Sequence, residues 1–169
     1  MKRYGPFDTV QVLQFLPHRY PFLFVDKILE ITTGGEGDKI SQLGTIVRGI
    51  KTATINEPYF MGHFPQMPIT PGVIQVETMA QVACFALYPW VTSGDPMMNR
   101  DNGYELRLAA VDGARFRKPV VPGDVMHVTA EVKKYRAPIW GFHCKVEVDG
   151  SIAAECDLLA SITFGKKGD

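Results

Sequence analysis

The sequence predicts an α+β fold in which a curved antiparallel β-sheet wraps around one long buried helix. One segment, residues 71–88, is apolar on nearly every side, as a helix enclosed by other elements must be. Most of the remaining chain reads as long strands rich in branched and aromatic residues. A chain of 169 residues suits one domain, so we expect residues 1–169 to form a single unit.

The N-terminal part of the chain is predicted to form a short helix and two strands. Asp8 can cap the helix, because its side chain can accept a hydrogen bond from a backbone N–H of the first turn. A turn with two prolines follows at residues 16–21. Strands are predicted over residues 22–31 and 39–55. The second strand contains Gly44 and Gly49, either of which could bend it.

The central helix is the most clearly marked element. Residues 56–70 hold too many prolines and glycines for a regular element, and the apolar segment follows directly. Thr70 fits the N-cap position and Pro71 the first helical position. Pro89 is predicted to end the helix, because proline removes a backbone donor and clashes with the preceding turn.

The C-terminal part is predicted to be a loop followed by strands. The loop covers residues 93–102, and the strands cover 104–116, 124–136, 139–148 and 152–164. A turn signal at residues 148–151 joins the last two strands into a hairpin, which brings Cys144 near Cys156. The three cysteines fit no disulfide framework and no metal-ligand spacing, so we expect free thiols in a reducing cytoplasm.

Charge and hydropathy exclude several classes of function. Eighteen basic residues balance eighteen acidic ones, which argues against a nucleic-acid-binding protein that relies on global charge. No run of eighteen uninterrupted apolar residues occurs, so we expect no membrane insertion. The N-terminus lacks the pattern of a secretory signal, which also favours a cytoplasmic location.

His63 is the first candidate for chemistry. It lies between Gly62 and Pro65 in the irregular segment before the helix, where prolines restrict the backbone and hold a side chain in place. An imidazole titrates near neutral pH and can therefore act as a general base. The alternative is that His63 is only a hydrogen-bonded turn residue.

Glu77 is the second candidate, because it lies about two turns inside an apolar helix. No Lys or Arg occurs between Lys51 and Arg100, so the surrounding segment offers this carboxyl group no cation. Burial without a cation disfavours the ionised form and makes Glu77 a candidate acid. Two alternatives stay open: the helix exposes this side, or a distant arginine pairs with Glu77.

Gly72 completes the candidate site. Near the start of the helix it has an unpaired backbone N–H, and the absence of a side chain lets a ligand carbonyl approach. The alternative is that Gly72 only permits tight packing. A base, an acid and a carbonyl-binding N–H together suit the loss of water from a 3-hydroxyacyl thioester, which requires no metal and no organic cofactor.

The motifs around these residues resemble a known family. They are LPHRYPFL at 16–23, VD at 25–26, NEPYFMGHFP at 56–65, PGV at 71–73, ETMAQ at 77–81, VD at 111–112 and RFRKPVVPGD at 115–124. In this order they resemble the 3-hydroxyacyl-acyl carrier protein dehydratases of FabZ type, and the resemblance covers most of the chain.

The resemblance implies a hot-dog fold and a role for each candidate. His63 matches the base, Glu77 its acid partner, and Gly72 the amide that binds the thioester carbonyl. The implied assembly is a homodimer, often a trimer of dimers, in which His63 of one chain faces Glu77 of the other. The substrate-contacting positions are Gly72, Phe64, Pro65, Val73 and Gln81. The acyl carrier protein would dock on Arg115, Arg117 and Lys118, because that partner is acidic.

Further details follow from the comparison with the family's pattern. The isomerising FabA-type relatives carry aspartate where this chain has Glu77, which favours dehydration alone, for membrane lipids or lipid A. Glu105, Leu106 and Arg107 stand where an aromatic tunnel gate is common, and Tyr104 is the candidate substitute. Met97 and Met98 would flank the tunnel. His18, His127 and His143 are assigned structural roles. The alternatives are a hot-dog thioesterase and a non-catalytic acyl-chain binding protein.

Overall fold

One antiparallel sheet and a central helix make up the computed structural model, which describes residues 1–36, 39–91 and 104–164. The strands are β1 (Arg3–Tyr4), β2 (Lys27–Gly34), β3 (Ser41–Thr52), β4 (Tyr104–Phe116), β5 (Val125–Arg136), β6 (Ile139–Val148) and β7 (Ser151–Phe164). The helices are α1 (Thr9–Phe15), α2 (Gly72–Cys84) and α3 (Tyr88–Val91), with 3-10 turns at Pro58–Met61 and Phe85–Leu87.

The sheet has seven strands in the order β1-β2-β3-β5-β6-β7-β4, and α2 packs against β3, β5, β6 and β7. The helix lies close to the sheet at Gly49, where a Cβ atom would be only 3.0 Å from Cγ2 of Val82. The predicted α+β fold, with a long helix against an antiparallel sheet, is confirmed. The bend expected at Gly44 or Gly49 falls at Gly44, which has a φ of 80°.

The first helix begins as the sequence predicts. The Asp8 carboxylate accepts a hydrogen bond from the Gln11 N–H at 2.9 Å, and the Gln11 side chain accepts one from the Asp8 N–H at 3.0 Å. This capping box satisfies two backbone donors that a helix start leaves unpaired. Val12 and Phe15 then turn into the core.

The predicted strand over residues 22–31 is wrong at its start, because β2 begins only at Lys27. The backbones of Phe22 and Phe24, which precede it, bond to a helix side chain instead of a neighbouring strand. Gln81 accepts a hydrogen bond from the Phe24 N–H at 2.8 Å and donates one to the Phe22 carbonyl at 2.9 Å. An aromatic segment that resembles a strand is therefore held to α2 by one amide group.

The ends of the central helix also differ from the prediction. Pro71 occupies the N-cap position, one residue later than expected, and Thr70 makes no capping hydrogen bond. The α-helix ends at Cys84, and a 3-10 turn leads into α3, in which Pro89 is the second residue. Proline is tolerated in a first helical turn because its missing N–H would be unpaired there anyway. Pro89 therefore does not stop the helical path.

Burial of α2 is uneven along its length. Every residue from Gln81 to the end of the helix is buried, as predicted, but Val73 is 74% exposed and Val76, Glu77 and Ala80 are partly exposed. The expectation of burial on all sides is therefore wrong for the first half of the helix in a single chain. This half leaves a partly apolar surface uncovered.

The C-terminal hairpin agrees with its predicted register. Cys144 on β6 lies directly opposite Cys156 on β7, and the two buried thiols are free. Strand β4 pairs with β7 and forms one edge of the sheet. The predicted loop over residues 93–102 lies outside the described residues. No helix in the described ranges is long and apolar enough to cross a membrane.

Candidate active site

His63 lies in a short loop that hydrogen bonds fix at both ends. Its N–H donates to the Tyr59 carbonyl at 3.0 Å, and its carbonyl accepts from the Ile69 N–H at 3.0 Å. The 3-10 turn Pro58–Met61 precedes it, and Thr70 ties the far end of the loop to the Val120 carbonyl at 2.7 Å. The imidazole ring stacks on Phe64, with ring centroids 4.3 Å apart.

The hydrogen bond of the His63 ring determines which nitrogen is free. Nδ1 lies 2.7 Å from the Ile69 carbonyl oxygen, which can only accept. Nδ1 therefore carries the proton in the neutral ring, and the lone pair is on Nε2. This is the tautomer that a general base acting through Nε2 requires.

His63 opens onto a cavity of about 590 Å³ at the start of α2. Gly72, Val73 and Gln75 line it from the helix, and Arg117 and Lys118 line it from the segment after β4. Among the described residues, nothing accepts a hydrogen bond from the Gly72 N–H, so this donor at the helix start is free. A histidine side chain, a free backbone donor and two cationic side chains thus share one cavity.

Gly72 also has a packing role. A Cβ atom there would lie 2.8–3.0 Å from the ring of Phe116, which is half-exposed at the edge of the same cavity. Both roles considered for Gly72, an accessible N–H and tight packing, are therefore compatible with the geometry. The Phe116 ring is a contact that the sequence did not indicate.

Glu77 lines a second, smaller cavity of about 180 Å³ between α2 and the sheet. Its walls are otherwise mostly apolar and include Ala80, Cys84, Leu106, Leu108, Phe142, Leu158 and Ala160. The carboxylate accepts a hydrogen bond from Nε2 of Gln81 at 2.8 Å, and the Glu77 side chain is 23% exposed. A carboxyl group at the mouth of a narrow apolar cavity suits proton transfer to a substrate whose acyl chain enters the cavity.

His18 is a neighbour of Glu77 that the sequence-based assignment missed. Its Nε2 lies 3.4 Å from Oε1 of Glu77, and both side chains line the same cavity. Burial lowers the pKa of His18, and the negative charge of Glu77 opposes that shift. Within the described ranges no arginine pairs with Glu77, and its ionisable partner is this histidine. The two prolines around His18 restrict its turn as those near His63 do, and they were the available signal.

Only some of the other predicted site residues line one of the two cavities. Val73 lines the His63 cavity and Gln81 the Glu77 cavity, whereas neither Phe64 nor Pro65 lines either one. Arg117 forms an ion pair with Glu155, and Arg115 is exposed on β4 and lines neither of these two cavities. Met97, Met98 and the Tyr104 side chain lie outside the described residues.

A metal centre is not built by the part of the chain that the structure describes. It contains no group of three or more His, Cys, Asp or Glu side chains placed to hold a metal ion. The buried cysteine nearest Glu77 is Cys84, and burial raises the pKa of its thiol to about 12. A thiol of this kind stays protonated near neutral pH and is a poor nucleophile.

The sequence is similar to curated dehydratases over nearly its full length. It is 43% identical over 157 residues to the 3-hydroxyacyl-[acyl-carrier-protein] dehydratase FabZ of Rhizobium johnstonii, covering 92% of this chain and 88% of that protein. The FabZ of Thiobacillus denitrificans is 40% identical, with 92% of this chain and 97% of the relative covered.

Solved structures of hot-dog proteins share the fold at low sequence identity. The dehydratase heterocomplex ApeI:P from Xenorhabdus doucetiae aligns with a TM-score of 0.64 and 15% identity, covering 97% of this chain and 93% of that one. A hot-dog-like protein from Thermanaerovibrio acidaminovorans aligns with a TM-score of 0.54 and 16% identity, covering 72% and 83%. The predicted hot-dog fold is confirmed. The FabA-like domain model matches residues 16–157, and the chain therefore belongs to the FabA-like family.

Proposed function

We propose that this chain removes water from a (3R)-3-hydroxyacyl group carried by acyl carrier protein, giving the trans-2-enoyl thioester in fatty acid synthesis. Support comes from the FabZ relatives and from the free Nε2 of His63, which is the observation that carries the proposal. The base faces a cavity that also contains a free backbone donor, so a thioester carbonyl and its acidic C2 proton can be held together.

The proposed chemistry assigns one step to each residue. Nε2 of His63 takes the C2 proton, and the thioester oxygen gains negative charge that the Gly72 N–H stabilises. The C2–C3 double bond forms as the C3–O bond breaks, and Glu77 gives its proton to the departing hydroxyl, which leaves as water. The proton held by His63 then returns to Glu77 through solvent, and no cofactor enters the cycle.

The site we propose is shared by two chains. Within one chain His63 and Glu77 line different cavities, and among the described residues no contact joins them. Edge strand β4 has exposed apolar side chains, among them Val111 and Phe116, and Val73 on α2 is also uncovered. A second copy pairing along β4 would cover these residues and bring the two cavities together. The trimer of dimers stays a prediction, as does the cytoplasmic location.

Acyl carrier protein is the proposed partner, and the positive residues at the His63 cavity support this. Arg117 and Lys118 lie where the thioester arm would enter. A cationic rim attracts an acidic carrier and speeds encounter more than it tightens binding. Arg115, exposed on the adjacent end of β4, would extend this surface.

Hydration of crotonyl-acyl carrier protein, the reverse reaction, tests the proposal. We expect the wild-type protein to bleach the enoyl absorbance, and His63→Ala and Glu77→Gln each to lower kcat by about a hundredfold or more. His127→Ala, a variant of an exposed strand residue, is the matched control and should keep wild-type activity.

Two results would contradict the dehydratase. A folded wild-type protein that hydrates no enoyl thioester would exclude it, and release of free thiol from the same substrate would favour the thioesterase alternative. Binding of the thioester without any turnover would favour the non-catalytic acyl-chain binding protein.

A further inference from the structure

Three charged side chains lie together beside the His63 loop and have no step in the proposed reaction; the Lys51 side chain is buried, whereas those of Glu57 and Asp26 are 16% and 42% exposed. Lys51, at the end of β3, is 4% exposed. Its Nζ contacts Oε1 of Glu57 and lies 3.7 Å from Oδ1 of Asp26. We call these three residues the Lys51 cluster. A buried ammonium group requires such partners, because an unpaired charge in the interior is strongly unfavourable.

One side of the cluster is anchored in the sheet. The Asp26 N–H donates to the Ile50 carbonyl at 3.0 Å, and its carboxylate accepts from the Thr52 N–H at 2.6 Å. Asp26 therefore joins the residues just before β2 to the end of β3. Lys51 lies between these two contact points on β3, so its backbone position is fixed.

The other side of the cluster leads to His63. The Glu57 carbonyl accepts a hydrogen bond from the Phe60 N–H at 3.1 Å, which closes the 3-10 turn Pro58–Met61. Within that turn the Tyr59 carbonyl accepts the His63 N–H. Burial raises the pKa of Tyr59, and the negative charges of Glu57 and Asp26 raise it further.

We propose that Lys51 and Glu57 are positioning residues for His63. The ion pair fixes Glu57 relative to the sheet. Glu57 precedes the 3-10 turn whose Tyr59 carbonyl accepts the His63 N–H, so the backbone of His63 is fixed as well. A turn that moved with Glu57 would weaken the bond between Nδ1 of His63 and the Ile69 carbonyl, which sets the tautomer of the base. This inference rests on the proposed function of His63.

The Lys51 cluster has two carboxylates but one ammonium group, and this difference determines which substitution the chain is expected to tolerate. Glu57→Gln leaves Lys51 with Asp26 as a partner, so the ammonium stays compensated and the chain is expected to fold. Lys51→Met would leave the partly buried Glu57 carboxylate uncompensated beside Asp26 and could prevent folding. Lys51→Arg keeps the positive charge and serves as the conservative variant.

The kinetic test compares crotonyl-acyl carrier protein hydration by wild type, Glu57→Gln and Lys51→Arg. We expect Glu57→Gln to lower kcat by about tenfold or more with KM unchanged, because a displaced base loses only transition-state stabilisation. Lys51→Arg should retain most of the wild-type kcat. Glu30→Gln removes a carboxylate that pairs with Arg3 and Arg48 far along β2, and this matched control should leave kcat unaltered.

An NMR experiment measures the tautomer of the His63 ring and requires no turnover of substrate. In protein labelled with ¹⁵N-histidine, the four imidazoles give separate signals, and a His63→Gln variant assigns the one of interest. We expect Glu57→Gln to shift the His63 ring from the Nδ1–H tautomer toward the Nε2–H tautomer, while Glu30→Gln does not.

The outcomes separate this inference from the proposed function. A folded Glu57→Gln protein with wild-type kcat and an unchanged His63 tautomer would overturn the positioning role. Loss of thermal stability without a change in tautomer would also overturn it, because the cluster would then be structural alone. An inactive wild-type protein would refute the dehydratase, and the tautomer shift in Glu57→Gln would still support the link between Lys51, Glu57 and His63.

Discussion

His63 and His18 differ in which ring nitrogen has a bonding partner. His63 has a carbonyl partner for Nδ1, which leaves Nε2 free toward a cavity. His18 has its Nε2 beside Glu77, whereas its Nδ1 is buried without a hydrogen-bond partner among the described residues. Protonating Nδ1 of His18 would place a charged donor where none of these residues accepts it, so the neutral ring is favoured.

This difference predicts a pH-dependent contribution of His18 to stability. Burial lowers the pKa of His18 in the folded chain from its ordinary value of 6.5, and the charge of Glu77 only partly offsets the shift. Below about pH 6.5 the unfolded chain therefore binds a proton that the folded chain resists, so stability is lost as the pH falls. His18→Gln cannot titrate, and its melting temperature relative to wild type should be higher at about pH 5.5 than at about pH 7.5.

Differential scanning calorimetry of both proteins at the two pH values measures the effect. His127→Gln removes an exposed histidine on β5 and is the matched control. If the gap between His18→Gln and wild type stays constant across this range, the neutral, buried state of His18 is wrong.

At this scale the sequence identified single residues but not their partners. His63, Glu77 and Gly72 could be chosen because each is unusual within its own segment: a histidine among prolines, a carboxyl group in an apolar helix and a glycine at a helix start. The prolines around His18 indicated a restricted turn, but they could not show that His18 lies beside Glu77, because the two residues are distant in sequence and approach each other only after the chain has folded. The Lys51 cluster was missed for the same reason, since its three members come from separate segments.

At the scale of elements, the prediction succeeded where a strand's own pattern determines its bounds, and it failed where a side chain of α2 takes the place of a strand partner. Strands β4 and β6 have the predicted boundaries, because alternation along a strand is a local signal. The segment before β2 misled that same signal, because the backbones of Phe22 and Phe24 bond to Gln81 of α2 instead of to a strand. Local patterns cannot show that a distant side chain will take the place of a strand partner.

The proposed pairing of two chains along edge strand β4 predicts that a charge in the middle of this strand separates them. Val111 lies near the middle of β4 and is 40% exposed. In a two-fold antiparallel pair the central residues of the two edges lie near each other, so Val111→Lys would oppose like charges and disfavour pairing. We expect light scattering to show the 18.8 kDa monomer for this variant and at least twice that mass for wild type.

The control for β4 is a lysine at another exposed apolar position. Leu43→Lys lies on β3, away from the sheet edge, and should leave both the mass and the activity at wild-type values. A Val111→Lys protein that keeps the wild-type mass would show that the chains associate through another surface.

At the scale of the whole molecule, the proposed site is divided between two cavities of one chain. The proposed base, His63, and the helix-start donor line one cavity, and the proposed acid, Glu77, lines the other, which is mostly apolar. Sequence could identify both residues, but it could not show whether they meet within a chain, because 14 positions of loop and helix allow either arrangement. The partly uncovered first half of α2 favours a second copy of the chain as the cover.

A shared site predicts that two inactive variants restore each other. In a mixed dimer of His63→Ala and Glu77→Gln chains, the intact His63 of one chain faces the intact Glu77 of the other, so one of the two sites is complete. Random assortment makes about half of the dimers mixed, so co-refolded variants should recover about a quarter of the wild-type activity. Replacing the Glu77→Gln chain by one that carries both substitutions removes every complete site and is the control. If the co-refolded variants stay as inactive as each variant alone, His63 and Glu77 act within one chain and the shared site is wrong.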